Sequence, residues 1–295
     1  MRNLFEHTSA SWVRYSDYTW REMKDHQLYL LPTRDAVPRP YDPMKEAENI
    51  VLAAMDIGMM LFRREPETEV QAAMREFACK YGLLGIMTAL PTTARFIDYE
   101  KVYFPYNEIV KTESMETLDY LKLFFPFRMP NIKKQGVNFA WNEDINNDKY
   151  LFPLLMTYRA EPEAMAMSFM RDYGERYEWL VTVIKEWAFM LITEHYYYDE
   201  EYPADEETRD LYRKGMKAFD GNAPTYHIEL WDRPTIVWDF HSLMLNIKMM
   251  FTFMLTDENT PLRLCRECAK PFIAPRSNSY FCSPACREKH NKNKR

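Results

Sequence analysis

Glycine is scarce in this chain, with 7 residues among 295. So few glycines leave little room for flexible linkers or phosphate-cradling loops, and neither the P-loop pattern nor Gly-x-Gly-x-x-Gly occurs. Gly-x-Ser-x-Gly and His-Glu-x-x-His are missing as well, which removes the motif-bearing serine hydrolases and zinc peptidases. No catalytic arrangement stands out, and the chain is not expected to be an enzyme. Long apolar runs are also lacking. The most apolar stretch, FHSLMLNIKMMFTFML, is interrupted by His241, Asn246 and Lys248, so it reads as a core helix and no membrane association is expected. The opening MRNLFEHTSASWVRYSDYTW holds no apolar core of signal-peptide length, and a cytoplasmic protein is expected. In a reducing compartment the five cysteines are thiols or metal ligands before they are disulfides.

What the chain does have is apolar and aromatic mass: 47% of its residues are hydrophobic, and Phe, Trp and Tyr make up 15% of the whole chain. A chain of this length buries roughly three quarters of its unfolded surface and forms one large or two modest domains. Charge is distributed unevenly. From Pro261 to Arg295 nine basic residues face only Glu267 and Glu288, a local charge of +7. The whole chain carries −6, so residues 1 to 260 carry −13. An acidic body precedes a basic tail.

Residues 1 to 30 are aromatic and polar without a clean period, and LPTRDAVPRPYDP reads as a stiff, proline-rich connector. Asp42 followed by Pro43 predicts a helix start, with the helix running through MKEAENIVLAAMDIGMMLFRRE. A second helix is expected from about Pro66 through ETEVQAAMREFACKYG, paired with the first as a hairpin. ARFIDYEKVYF alternates like a strand or hairpin, and Ser114 is placed as the cap of a helix through METLDYLKLFF. Residues 126 to 153 read as a long irregular connection. Helix is expected from near Pro162 to His195, and again from Glu206 to Phe219 after the acidic loop YYYDEEYPADEE. TYHIELW suggests a short strand. Phe240, Leu243, Met244, Ile247, Met250, Phe251 and Met254 then form one apolar helical stripe, a packing face.

Four of the five cysteines fall within twenty-two residues, as Cys265-x2-Cys268-x13-Cys282-x3-Cys286. Two close pairs separated by a short module suit tetrahedral Zn2+, because each pair supplies two thiolates from one turn while the chain between folds back. CREC makes a knuckle, KPFIA a short strand, PRSNS a turn and YF a returning strand, with Phe272 and Phe281 as a miniature core. Ser283 and Pro284 then start a helix that carries Cys286 in its first turn, where free amides favour a thiolate. Knuckle, hairpin and helix together describe a treble-clef zinc finger. His290, four residues after Cys286, is an alternative ligand, although four cysteines already close the tetrahedron. Cys79, in EFACKY, reads as a small buried hydrophobe.

The arrangement CRECAKPF…YFCSPACREKH resembles the treble-clef fingers that end many bacterial proteins, including the CGNR type of transcriptional regulators. The longer stretch from Trp238 to Cys286 resembles the end of an uncharacterised bacterial family with a helical body. The resemblance implies one structural zinc on Cys265, Cys268, Cys282 and Cys286, and DNA binding by the tail. In the CGNR type Gly-Asn-Arg follows the second cysteine pair, whereas this chain has Arg287, Glu288 and Lys289.

A helix over residues 284 to 294 would place Arg287, His290, Asn291 and Lys294 on one face, broadened by Lys289, Lys292 and Arg295. Such a surface contacts phosphates, and Arg287, Asn291 and Arg276 have side chains suited to base edges. The alternative is a structural or protein-interaction finger whose charges meet a partner protein or the acidic body near YYYDEEYPADEE. His227-Ile228-Glu229 with Cys265 and Cys268 superficially matches a zinc-deaminase pattern. Leu264 replaces the required proline, however, and Cys282 and Cys286 would have no role. The expected architecture is therefore mainly α with minor β: a helical body, residues 1 to 260, and a small treble-clef zinc finger, residues 261 to 295.

Overall fold

The computed structural model describes residues 8–90, 99–104, 107–129, 170–199, 201, 203–219, 225–240 and 242–293. Among these are eight α-helices and twelve short strands. The fold is mainly helical with small sheets.

Five strands come first: β1 (Thr8–Ala10), β2 (Trp12–Tyr15), β3 (Tyr18–Glu22), β4 (Leu28–Pro32) and β5 (Pro38–Tyr41). From Thr8 on, the start that showed no clean period and the expected stiff connector are thus largely extended and paired, while residues 1–7 lie outside the described residues. β2 pairs antiparallel with β5, and β3 with β4. Pro38 and Pro40 are tolerated because, among the described residues, β5 pairs with β2 alone and is an edge strand. Burial explains why no alternation shows in the sequence. Tyr15 and Tyr18 are both buried, with the Tyr18 hydroxyl accepting from the Tyr15 amide at 2.9 Å, so tyrosines occupy positions where aliphatics would be expected.

Asp42 caps the next segment as expected, accepting from the Met44 amide at 3.0 Å. The first turn, Pro43–Glu46, is a 3-10 helix that leads into α1 (Ala47–Phe62). α2 (Glu67–Tyr81) follows, ends at Gly82 and packs on α1. Then come the single turn α3 (Ile86–Ala89), strands β6 (Lys101–Tyr103) and β7 (Ser114–Glu116), and α4 (Thr117–Phe124). Ser114 is therefore a strand residue opposite Tyr103 and does not cap a helix; α4 begins three residues later. The β6–β7 pair accounts for part of ARFIDYEKVYF, whose first residues lie outside the described ones. The same is true of most of the irregular connection from 126 to 153.

The helix expected from Pro162 to His195 is interrupted. Residues 162–169 lie outside the described residues. Met170 and Arg171 are helical, but Gly174 and the two-residue strand β8 (Glu175–Arg176), paired to β4, separate them from α5 (Tyr177–Tyr197). The reason is Glu175. Its fully buried carboxylate accepts from the amides of Leu84 and Ile86, each at 2.9 Å, and from the Tyr173 hydroxyl at 2.7 Å. A helix through this point would carry the carboxylate away from the 83–86 loop, where Gly85 supplies the left-handed backbone (φ 72°).

α6 (Glu206–Ala218) is capped by Asp205. A hairpin follows, β9 (Thr225–Leu230) and β10 (Pro234–Asp239), and β10 also pairs in parallel with β1. PTIVWD thus forms a second strand that the isolated reading of TYHIELW does not anticipate. Ser242 caps α7 (Leu243–Leu255), accepting from the Leu245 amide at 3.1 Å. The apolar stripe of α7 is core: Leu243, Ile247, Met250, Phe251 and Met254 are buried against α1.

The centre of the body is the contact between α1 and α5. It is unusually close at Gly58, where a Cβ would stand 2.4 Å from that of Ala188. Beyond α7 come β11 (Leu262–Leu264), β12 (Pro271–Ile273) and α8 (Pro284–Asn293). Leu262 and Leu264 are buried in the same core as α1 and α5. No helix among the described residues is long and apolar enough to cross a membrane.

Candidate metal centre

The site is built by a hairpin and a helix start. β11 and β12 pair antiparallel, Leu264 opposite Pro271, and the CREC turn lies at their end. Two backbone bonds close this turn: the Cys265 amide donates to the Lys270 carbonyl at 2.9 Å, and the Ala269 amide to the Cys265 carbonyl at 2.8 Å. Ala269 adopts a left-handed conformation (φ 52°), unfavourable for a residue with a Cβ, which the closed turn imposes. The second cysteine pair arrives with α8. Ser283 caps this helix as expected, its hydroxyl accepting from the Cys286 amide at 3.2 Å. Tyr280 and Phe281 do not form the returning strand expected of them. β12 takes β11 as its partner instead, and the Tyr280 backbone joins the knuckle through its carbonyl, which accepts from the Arg266 amide at 3.1 Å.

The four thiols converge. The sulfurs of Cys268 and Cys282 lie 3.6 Å apart, those of Cys282 and Cys286 3.6 Å, and those of Cys286 and Cys268 3.8 Å. All four, Cys265 included, fall within 4.8 Å of one another. These distances are far beyond a disulfide, near 2.05 Å. They match the edge of a tetrahedron of thiolates around one ion: four sulfurs about 2.3 Å from a common centre are separated by about 3.8 Å. The cysteines are placed to hold one metal ion.

Thiol electrostatics point the same way. At Cys265 burial opposes ionisation, but the backbone N–H groups of Cys282, Cys268 and Glu267 outweigh it and lower the pKa to about 7. At Cys282 burial and the neighbouring thiols of Cys286, Cys268 and Cys265 push it up to about 12. Burial raises Cys268 as well. The Cys265 thiolate therefore forms readily and opposes the ionisation of Cys268 and Cys282, which a divalent cation at the centre would reverse.

The centre is docked on the helical body. Arg63, at the end of α1, donates from Nη2 to the carbonyls of Cys268 (3.3 Å) and Ala269 (3.2 Å). Glu201, in the acidic loop after α5, lies 3.6 Å from Arg266 and 3.6 Å from His290 Nε2. The guanidinium groups of Arg266 and Arg263 stack on the Tyr280 ring at 4.0 and 4.7 Å. Neither Arg63 nor Glu201 is marked by spacing in the sequence. Glu201 belongs to an acidic run beside aromatic residues, the only hint available, and Arg63 is about two hundred positions from the cysteines it supports.

The basic residues divide into two groups. Lys289 pairs with Glu267 at 2.9 Å, while His290 lies between Glu267 and Glu201 and packs on the Phe281 ring at 5.1 Å. His290 therefore faces the acidic groups instead of joining Arg287 and Asn291 on an outer surface. Arg287, Asn291 and Lys292 are exposed on α8, and Arg276 is exposed in the turn after β12. Lys294 and Arg295 lie outside the described residues. His227 and Glu229 sit on β9, 3.3 Å from each other, and the only metal-ligand cluster among the described residues is the four cysteines. Cys79 is half-buried against the core on α2, close to its expected place. Comparison of the chain with models of known protein families, with curated proteins and with solved structures finds no match.

Proposed function

We propose that Cys265, Cys268, Cys282 and Cys286 hold one structural Zn2+ in a treble-clef-like finger over residues 261 to 295, and that the metal fastens this finger to the helical body. The observation that carries the reading is the clustering of the four sulfurs: those of Cys268, Cys282 and Cys286 lie 3.6 to 3.8 Å apart, the edge length of a tetrahedral thiolate site, and that of Cys265 lies within 4.8 Å of them. Four thiolates fill the coordination shell and leave no open position for water or substrate, so the role is structural, not catalytic. Arg63 and Glu201 give the metal-ordered segment its attachment points. The test is metal analysis with calorimetry: one zinc per chain, a large loss of thermal stability on chelation, and the same loss in Cys286→Ser. A chain that keeps its melting temperature after complete zinc removal would overturn the assignment.

A second reading, contact with nucleic acid through the finger, is favoured by the exposed Arg276, Arg287, Asn291 and Lys292, whose charged members make no ion pair among the described residues. Such contacts release counterions, and affinity would then fall steeply with salt. Removing the whole tail is an unsuitable test because it also strips Lys289 and His290 from Glu267 and Glu201. Arg287→Glu with Lys292→Glu is the appropriate variant. Titration of labelled duplex DNA at several salt concentrations should show binding that these charge reversals abolish while zinc content is unchanged. Binding absent at low salt, or indifferent to the reversals, refutes this reading.

A further inference from the structure

The four sulfurs of the candidate metal centre are not equally sheltered. Cys265 is buried at the end of β11, with the backbone N–H groups of Cys282, Cys268 and Glu267 directed at it. Cys282 and Cys286 are half-buried around the start of α8, and Cys268, in the CREC turn, is exposed. The Cys268 sulfur lies 3.6 Å from that of Cys282 and 3.8 Å from that of Cys286. An exposed thiolate beside a second one is the arrangement from which reversible thiol oxidation proceeds. Susceptibility follows thiolate character and access, and the neighbouring sulfur intercepts the first product before it oxidises further. Ligands of a metal ion are all thiolates, so access, not ionisation, selects among the four. Cys79, half-buried on α2, stands outside the cluster.

We propose that the centre is a peroxide-sensitive switch: hydrogen peroxide converts Cys268 and one cysteine of the second pair into a disulfide, and the zinc is released. The inference rests on the zinc reading given above. The Cys268 sulfur attacks one peroxide oxygen, the O–O bond breaks and the other oxygen leaves as hydroxide, which makes Cys268 a sulfenic acid. The sulfur of Cys282 or Cys286 then attacks the Cys268 sulfur, the S–O bond breaks and a second hydroxide leaves. The two sulfurs lose two electrons, the peroxide gains them, and both hydroxides take up protons to become water. Cys282 and Cys286 flank the capping Ser283, so either bond ties the CREC turn to the start of α8 and leaves two of the four ligands. Two thiolates do not close a tetrahedral site. The bonded sulfurs must also approach from 3.6–3.8 Å to about 2.05 Å, which draws the knuckle and the helix start together. The carbonyls of Cys268 and Ala269 are those that Arg63 holds, and α8 carries His290, which faces Glu201 of the body. Oxidation therefore loosens the docking of the finger, and a thiol reductant with zinc restores it.

The sequence makes the test specific, because trypsin separates the ligands: residues 264–266 carry Cys265 alone, 267–276 carry Cys268 alone, and 277–287 carry Cys282 and Cys286. The full, zinc-loaded chain is titrated with hydrogen peroxide, released zinc is read with a chelating dye, and the remaining thiols are alkylated before the peptides are mapped by mass spectrometry. The expected result is one zinc released per disulfide, peptide 267–276 cross-linked to 277–287, and Cys265 alkylated. The melting temperature should fall, and zinc content and melting temperature should both return after dithiothreitol and zinc are added. Cys79→Ser should release zinc at an unchanged rate. Zinc retained at peroxide concentrations that fully oxidise glutathione, a disulfide closed within 277–287, one that includes 264–266, or zinc loss without a disulfide would each overturn the proposal. Metal analysis before any peroxide is added keeps the two readings apart: a chain that binds no zinc refutes the metal assignment itself, whereas a chain that binds zinc and keeps it under peroxide refutes the switch alone.

Discussion

The guanidinium of Arg63 donates to the carbonyl oxygen of Cys268 at 3.3 Å, so the residue that caps the C-terminus of the first long helix supports the knuckle of the cysteine cluster some two hundred positions later. The same Nη2 reaches the carbonyl of Ala269 at 3.2 Å, the residue held in left-handed backbone by the closed turn. One cation thus stabilises the two carbonyls that the turn directs toward the body. Arg63→Ala is expected to lower the stability of the zinc-loaded chain by about 1 kcal/mol, the modest value set by partial exposure of the side chain. It should also speed zinc transfer to a chelating dye. Urea denaturation and the transfer rate measure the two effects, and a change in neither would show that the contact holds nothing.

Gly58 sets the spacing of α1 and α5. Alanine is the better helix former by about 1 kcal/mol, but its Cβ would stand 2.4 Å from that of Ala188 and 3.2 Å from the Ile184 carbonyl oxygen. Overpacking between two buried helices outweighs propensity, and Gly58→Ala is expected to destabilise by about 1–3 kcal/mol. Adding Ala188→Gly should recover part of the loss by restoring the gap. A double-mutant cycle on melting temperatures reads this coupling, and strictly additive effects would exclude the clash.

Glu175 is expected to be the most sensitive buried polar position. Its carboxylate satisfies the amides of Leu84 and Ile86 and the Tyr173 hydroxyl without any exposure. Glutamine would offer one oxygen and turn an N–H donor toward a donor. Glu175→Gln should therefore cost about 3 kcal/mol, from stranded donors at about 1–3 kcal/mol each, and should appear as a large fall in melting temperature with zinc content retained.

The pH dependence of stability should carry the signature of Glu194. Burial on α5 raises its pKa to about 7, against the smaller lowering effect of Arg263. Between the ordinary carboxyl value of 4.5 and about 7 the folded chain retains a proton that the unfolded chain releases. This group's contribution is therefore fully present at low pH and is lost as pH rises through the folded value. Glu194→Gln should flatten the fall in melting temperature across that window, and should make the protein more stable relative to the unsubstituted chain on the alkaline side. An unchanged slope would show that the carboxyl is not protonated in the fold.

Legibility differed by element for physical reasons. α1, α2, α6 and α7 carry their own signals in Asp42, Gly82, Asp205 and a 3.6-residue apolar period, and they lie close to the expected places. The five N-terminal strands give no such signal. Their burial rests on tyrosines and tryptophans whose polar ends find distant partners, as when the Trp12 indole donates to the Leu83 carbonyl at 3.0 Å. β8 is only two residues long and exists because Glu175 must face the 83–86 loop. No local pattern encodes such a requirement.

For the candidate metal centre the sequence by itself marked the four cysteines that the fold brings together. Cysteine spacing limits which thiols can share one ion, and Ser283 and Pro284 set the helix start that delivers Cys286. Tertiary structure decided how that centre is mounted and which charges remain available: Glu201 and Arg63 come from remote parts of the chain, and His290 turns toward Glu201 and Glu267 while Arg287 stays outside. Helical spacing says which residues share a face. Only the packing of α8 against the body says which face meets protein and which meets solvent.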